Sequence, residues 1–169
     1  MASATLAAAG AAAAGRPLIT FRAPNEVAVP IEHVREILPF GSAPSMFGAG
    51  SALRRVQVLR GRSLPVLCLA RLSGSLPGTV DASAAILVVE HGEHLLGYAV
   101  PMLGSIERAH WERTLPGQGA PSGDAHALWG ERRVAGIGSG PSPRSVPVLD
   151  LLAMTERLAS RQGWNGPST

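Results

Sequence analysis

Short runs of β-branched and aliphatic residues alternate along the chain with clusters of glycine, proline and serine. Runs of this kind, bounded by turn residues, are typical of β-strands. They predict a first hairpin in which Leu18–Ala23 turns at Pro24–Asn25 into Glu26–Ile31. A second hairpin turns at Arg60–Gly61, and a third turns within His91–His94. In all, roughly nine or ten short strands are expected, which favours a small barrel or a pair of barrels over an α/β sheet.

Helical spacing of apolar residues occurs in two places. Residues 31–40 read IEHVREILPF, and four apolar positions there share one helical face. That segment is short and ends at Pro39, so a single helical turn leading into a strand is the alternative. Residues 150–162 predict an amphipathic helix with Asp150 as its N-cap. Its expected buried face carries Leu151, Met154 and Leu158.

The two ends of the chain have a different composition from the rest. Residues 1–16 consist mostly of alanine and glycine and are expected to form a disordered, low-complexity leader. A secretory signal is the alternative, but the positively charged start of such signals is missing. Residues 163–169 are expected to be a disordered tail. Nowhere does a strongly apolar run reach the length of about 18 residues that marks a membrane span, so we expect a cytoplasmic protein without membrane insertion.

The basic character of the chain changes this picture little. The pI is about 10.4, but the formal net charge is only +3, and all 15 basic residues are arginine. The arginines are scattered and do not cluster with aromatic residues, as they would in a groove that follows a phosphate backbone. Binding of nucleic acid by a small barrel therefore stays a remote alternative.

Residues with catalytic or metal-binding potential are sparse. The single cysteine, Cys68, excludes an internal disulfide and lies in an apolar run, where a free thiol is expected to be buried. His91 and His94 share a turn without a third ligand in fixed register. The glycine-rich segments match neither a phosphate-binding loop nor a dinucleotide fingerprint. We therefore expect no enzymatic activity, no cofactor and no metal.

Four segments, in this order and spacing, resemble the CheW-like family of chemotaxis coupling proteins. Together they extend over about Leu18 to Ala159, and no single one of them is diagnostic. They read LITFRAPNEVAVPIEHVREIL, VLRGRSLPVLCL, AILVVEHGEHLLGYAVPMLGSI and VAGIGSGPSPRSVPVLDLLAM. The resemblance implies a mainly β fold: two small, SH3-like, five-stranded β-barrels that share a core, followed by a C-terminal helix. The expected CheW-like domain is 17–162, with a first lobe at about 24–83 and a second at about 84–148. Strand 18–23 and helix 150–162 are expected to pack across both lobes.

The resemblance also implies an adaptor without catalysis. Members of the family couple the cytoplasmic tips of methyl-accepting chemoreceptors to the regulatory domain of the sensor histidine kinase CheA, in bacterial two-component signalling. The positions that match the family's recognition residues are Val34, Glu36 and Arg60, with Gly61 permitting the tight turn. An arginine at a turn offers a fork of donors to a carboxylate or carbonyl of a partner.

Plainer interpretations of the same residues stay open. Val34 is equally well a core residue, Glu36 an exposed helical residue, and Arg60 a solvated turn arginine whose stem covers apolar surface. Arg62, on the other side of the turn, is expected to be solvated.

Three positions depart from the family pattern and mark a divergent member. Val58 stands where the family has asparagine, and Cys68 and Pro101 stand where it has aspartate. These departures favour an adaptor of an accessory array, such as one that governs pilus-driven twitching. The alternative is a CheW-like scaffold or localisation module that no longer couples receptors to a kinase.

Overall fold

The computed structural model describes residues 15–22, 25–42, 51–72, 80–115, 132–138 and 141–162. Within these ranges the chain forms ten strands, a 3₁₀ turn at Ile31–His33, and the helices α1 (Leu69–Leu72) and α2 (Leu151–Gln162). The predicted mainly β fold with a terminal helix is confirmed. The strands are β1 (Pro17–Arg22), β2 (Glu26–Pro30), β3 (Glu36–Pro39), β4 (Leu53–Leu59), β5 (Arg62–Cys68), β6 (Ala85–His91), β7 (His94–Val100), β8 (Met102–Leu115), β9 (Arg132–Ile137) and β10 (Arg144–Val148).

The first two and last three strands close a five-stranded barrel in the order β1-β2-β10-β9-β8. Strand β8 completes the ring because its two halves have different partners: residues 102–108 pair with β1, and residues 109–115 pair with β9. A barrel with fewer strands has a smaller diameter, so the interior of a five-stranded barrel admits small and branched side chains best. The buried residues of this barrel are Leu18, Ala28, Ala109, Ala135, Ile137, Val146 and Val148.

The middle of the chain forms a second five-stranded sheet in the order β3-β6-β7-β5-β4. Its edge strands, β3 and β4, share no backbone ladder in the described part of the chain. Side chains join the two edges instead: Arg60 bonds to Glu36, and Arg55 bonds to the carbonyl oxygen of Phe40. The second predicted barrel is thus a curled sheet, with its own core of Phe40, Leu64, Val66, Ala84, Ile86, Val88, Leu95 and Ala99.

A shared core lies between the barrel, the second sheet and α2. It combines Phe21 of β1 and Val29 of β2 with residues of β5, β6 and β7, and with Leu151 and Met154 of the helix. A buried hydrogen bond of 2.8 Å between the hydroxyls of Tyr98 and Thr155 ties the helix to β7. Burial raises the pKa of Tyr98, which keeps this hydroxyl neutral. The prediction that both units share a core is confirmed.

The strands divide between the two sheets differently from the expected lobes at about 24–83 and 84–148. Strands β6 and β7 pair with β3 and β5, so the second sheet is continuous from β3 to β7, and the barrel takes both ends of the chain. The physical reason is a parallel pairing of β2 with β10, which brings the last strand back to the first hairpin. The leader through residue 14, and the tail at 163–169, lie outside the described residues.

Two local interpretations are settled by the structure. At residues 31–39 the chain makes one 3₁₀ turn and then enters β3, so the alternative with a single turn is right. Asp150 caps α2 by accepting the N–H of Ala153 at 2.9 Å, as expected. Strand β8 is long, from Met102 to Leu115, because it exchanges one neighbour for another along its length. Among the described residues no helix combines the length and apolar character of a membrane span.

Candidate functional site

The β4–β5 hairpin carries two of the four predicted recognition residues. Leu59 pairs with Arg62, which leaves Arg60 and Gly61 as a two-residue turn. Both have positive φ, 51° and 78°, as in the turns whose twist matches that of paired strands. A non-glycine residue in this conformation costs about 1–2 kcal/mol. Arg60 is therefore held in an unfavourable backbone conformation at the tip, with its side chain 65% exposed.

Glu36 lies opposite this tip, on the other edge of the sheet. Its Oε2 accepts a hydrogen bond of 3.1 Å from Nη2 of Arg60, across 24 residues of sequence. Oε1 of the same carboxylate is buried and has no hydrogen-bond partner among the described residues. The pair therefore joins the two edges of the sheet while the guanidinium of Arg60 faces solvent.

Val34 occupies a different environment from the other three predicted residues. Its N–H donates to the carbonyl of Ile31 at 3.1 Å, closing the 3₁₀ turn. Its side chain is half-buried and packs against the shared core. The structure thus brings Glu36, Arg60 and Gly61 together and places Val34 beneath the start of β3, in agreement with the interpretation of Val34 as a core residue.

The side chain of Arg62 is 46% exposed, in agreement with the expectation that it is solvated, and it is also paired. It bonds to Glu90, and its Nη2 donates to the carbonyl of Glu93 at 3.3 Å. Arg35 forms an ion pair with the same Glu90. In the sheet, β6 lies next to β3 and is separated from β5 by β7. Glu90 on β6 is therefore reached by Arg35 from the β3 side and by Arg62 from the β5 side.

Strand β4 reverses the usual burial of polar and apolar side chains. Arg55 is only 6% exposed, whereas Val58 is 74% exposed and Val56 is also exposed. The guanidinium of Arg55 lies 4.1 Å from the centre of the Phe40 ring, an arrangement that attracts a cation to an aromatic face. Burial lowers the pKa of Arg55. The arginine thus takes the interior position, and the valines of β4 face solvent.

The exposed large aliphatic residues of the described chain fall into two groups. One group consists of Ile37, Val56 and Val58, on the two edges that the Arg60–Glu36 pair joins. We call these three residues and that ion pair the edge face. The other group consists of Met102, Leu103 and Ile106 in the first half of β8, and we call it the β8 face.

Sequence reasoning missed both aliphatic groups. Val56 and Val58 alternate with Arg55 and Gln57, a pattern that normally marks valine as the buried side. The β8 face has no such pattern, because residues 102–106 are exposed on both sides of the strand. Grouped exposed apolar residues are a feature of surfaces that bind proteins or membranes. No cluster of three metal-ligating side chains occurs in the ranges the structure describes.

Comparison with known proteins gives two findings. A family model described as the CheW-like domain matches residues 17–159. The fold is similar to the crystal structure of the scaffolding protein TtCheW from Thermoanaerobacter tengcongensis, with a TM-score of 0.62 and 15% sequence identity. That alignment covers 83% of this chain and 92% of the other. A comparison with curated proteins gave no significant match.

Proposed function

Because the chain belongs to the CheW-like domain family, we propose that it is a chemotaxis scaffold that couples methyl-accepting chemoreceptors to the regulatory domain of a CheA-type histidine kinase. Its partners are the kinase regulatory domain and the cytoplasmic tip of a receptor, and it acts in the cytoplasm at receptor arrays. The similarity to TtCheW, whose description is a scaffolding protein, supports this assignment.

One observation carries the proposal: the exposed aliphatic residues form two faces on different sheets. A protein that bridges two partners needs two surfaces that can be occupied at once. The edge face lies on the curled sheet, and the β8 face lies on the barrel. The core of a protein interface is apolar, and arginine is enriched among its hot-spot residues.

The edge face combines aliphatic contact with a directed charge. Arg60 has more donors than its bond to Glu36 uses, so its fork is available to a carboxylate or carbonyl of a partner. Val58 and Val56 supply apolar surface beside it. Gly61 maintains the turn that presents Arg60, and Val34 supports β3 from the shared core.

The ion pairs of the described arginines argue against a nucleic-acid surface. Six arginines each face a glutamate, so much of the positive charge is already neutralised within the protein. The six are Arg16, Arg35, Arg60, Arg62, Arg133 and Arg144.

A scaffold that has lost kinase coupling is the second candidate, and the three departures from the family pattern favour it. Their positions weaken that argument. Cys68 is fully buried, and Pro101 lies between β7 and β8. Only Val58 changes an exposed surface, so we propose that this departure adjusts the choice of partner, as in an accessory or pilus-linked array, and that coupling is retained.

The test is calorimetric titration of the protein with a kinase regulatory domain and, separately, with a soluble receptor-tip fragment. We expect dissociation constants of about micromolar size, as for other transient adaptors. Arg60→Ala should weaken the binding of one partner by about 1–3 kcal/mol, and Ile106→Ser should weaken that of the other. Arg113→Ala is the matched control, since Arg113 is an exposed arginine at the far end of β8 that packs on Trp111.

Formation of a ternary complex distinguishes the two candidate functions. A coupling adaptor binds both partners at once, whereas a scaffold that has lost coupling binds at most one. Absence of binding to either partner at high micromolar concentration contradicts the proposal.

A further inference from the structure

A buried histidine lies where the chain leaves the barrel for the second sheet. His33 is the last residue of the 3₁₀ turn between β2 and β3. Asp150 occupies the corresponding place after β10, just before α2. Strands β2 and β10 are parallel neighbours, and Leu149 donates to the carbonyl of Ala28 at 2.9 Å. Both strands therefore leave the barrel at the same end, and His33 and Asp150 meet there.

The contact between these two side chains is close but not hydrogen-bonded. Nδ1 of His33 lies 3.7 Å from Oδ1 of Asp150, beyond the range of a hydrogen bond. His33 is only 9% exposed, and its Nδ1 has no hydrogen-bond partner in the described chain. Oδ1 of Asp150 instead accepts the N–H of Ala153 and so caps α2. The imidazole is held against the helix cap without being bonded to it.

Charged groups of both signs lie around His33. Asp150 and Glu32 favour a protonated ring, whereas Arg16 and Arg133 oppose it. Arg16 bonds to Glu32 at 3.2 Å, and Arg16 and Arg133 both bond to Glu112. Loss of hydration outweighs these charges and lowers the pKa of His33. The ring is therefore neutral in the folded protein at neutral pH.

We propose that His33 and Asp150 form a proton-sensitive latch: the neutral imidazole packs in the junction, and its protonation opens the junction. A charged ring in this buried position needs water, and in the latch water reaches it when the first turn of α2 separates from the 3₁₀ turn. The same opening loosens the start of β3, which carries Glu36. The proposal concerns the free protein and stands independently of the partners proposed above.

The expected pH dependence follows from proton linkage. The unfolded chain binds the proton at the ordinary histidine value of 6.5, whereas the folded protein binds it only at lower pH. The free energy of unfolding therefore falls as the pH drops below that value, and it levels off once the folded protein is also protonated. One proton of this kind raises the opening equilibrium constant by up to about tenfold per pH unit.

Hydrogen exchange and NMR titration test the latch. Exchange of the amides in 31–36 and 151–154, corrected for the intrinsic effect of pH, should accelerate between pH 7 and pH 5 in the unaltered protein. His33→Gln cannot be protonated and should remove this acceleration. His91→Gln is the matched control, because His91 is an exposed histidine that also lies near a carboxylate, at 3.9 Å from Glu156. It should leave the acceleration unchanged.

Asp150→Asn sharpens the test. Asparagine is as good an N-cap as aspartate but lacks the charge that favours protonation of His33 in the folded protein, so the acceleration should be larger and should level off at a lower pH. If His33→Gln does not fold, NMR titration of the His33 ring in the unaltered protein tests the latch instead. Titration at or above the ordinary histidine value, or acceleration that is identical in His33→Gln, overturns the latch.

Discussion

The barrel and the curled sheet contain the same number of strands but close in different ways. Backbone ladders run all the way round the barrel, because β8 pairs with β1 over one half and with β9 over the other. In the curled sheet, β3 and β4 share no ladder in the part of the chain described, and side chains join them, among them Arg55 and Arg60. Backbone hydrogen bonds thus close the barrel, whereas side-chain contacts, two arginine bonds among them, join the edges of the curled sheet.

In the barrel, too, an arginine side chain bonds to residues of other strands, but there these bonds are additional to the backbone hydrogen bonds that close the ring. Arg144 on β10 forms forked bonds to Glu26 of β2 and Glu107 of β8. These bonds lower the pKa of both glutamates below their ordinary value. Because Arg144 is exposed and both glutamates are only half-buried, solvent screens these pairs and limits their contribution to stability. The comparison indicates that the curled sheet, whose edges are joined only by side chains, is the more adaptable surface for a partner.

The largest expected effect comes from emptying the core of either unit. Ile86→Ala in the curled sheet and Ile137→Ala in the barrel each remove a fully buried side chain and should cost about 2–5 kcal/mol. The shared core couples the two units, so each variant should unfold in a single transition. Urea denaturation followed by circular dichroism and by tryptophan fluorescence measures this. If the transitions observed by circular dichroism and by fluorescence do not coincide, the two units unfold separately. Val58→Ala, at an exposed position, is the control.

A smaller effect should follow from removing the buried arginine between the edges. Arg55→Ala leaves the carbonyl of Phe40 without its donor and removes the contact with the ring, which should cost about 1–3 kcal/mol. Arg144→Ala removes the solvated pairs of the barrel and should cost less than about 1 kcal/mol. The measurement is the denaturation midpoint of both variants. An equal or larger loss for Arg144→Ala would contradict the distinction between the two kinds of closure.

The smallest effect on stability is expected at Val58. Val58→Asn introduces the residue typical of the family at a 74% exposed position, so stability should change by no more than about 0.5 kcal/mol. Affinity for the partner that binds the edge face should fall by about 1 kcal/mol, since apolar contact is lost there. Affinity for the partner of the β8 face should not change. Titration of both partners measures this, with Val58→Ile as the control that retains apolar contact, and an equal loss for both partners would contradict separate faces.

The amino-acid sequence predicted most local features correctly. The turn at Arg60–Gly61, the cap at Asp150 and the burial of Cys68 all agree with the structure. Each depends on residues close together in sequence: a glycine that accepts positive φ, a carboxylate three residues before the amide it caps, and a thiol within an apolar run. The sequence also predicted Glu36 and Arg60 as members of one site, but only through resemblance to a family.

Other features depend on which strands become neighbours. Membership of β6 and β7 in the second sheet, the inverted burial of Arg55 and Val58, and the meeting of His33 with Asp150 all have this origin. The alternation of residue types along β4 is compatible with burial of either side of the strand. Arg55 is on the buried side because the ring and the carbonyl oxygen of Phe40 lie opposite it.

By itself, then, the sequence determined the strands, the turns, the terminal helix and an aliphatic core, since propensity and periodicity act over a few residues. Tertiary structure decided which ends of the chain close the barrel, which edges are joined by side chains alone, and which aliphatic residues remain exposed. Those outcomes arise from contacts between residues far apart in sequence, such as Glu36 with Arg60 and His33 with Asp150, whose energies depend on the packing around them.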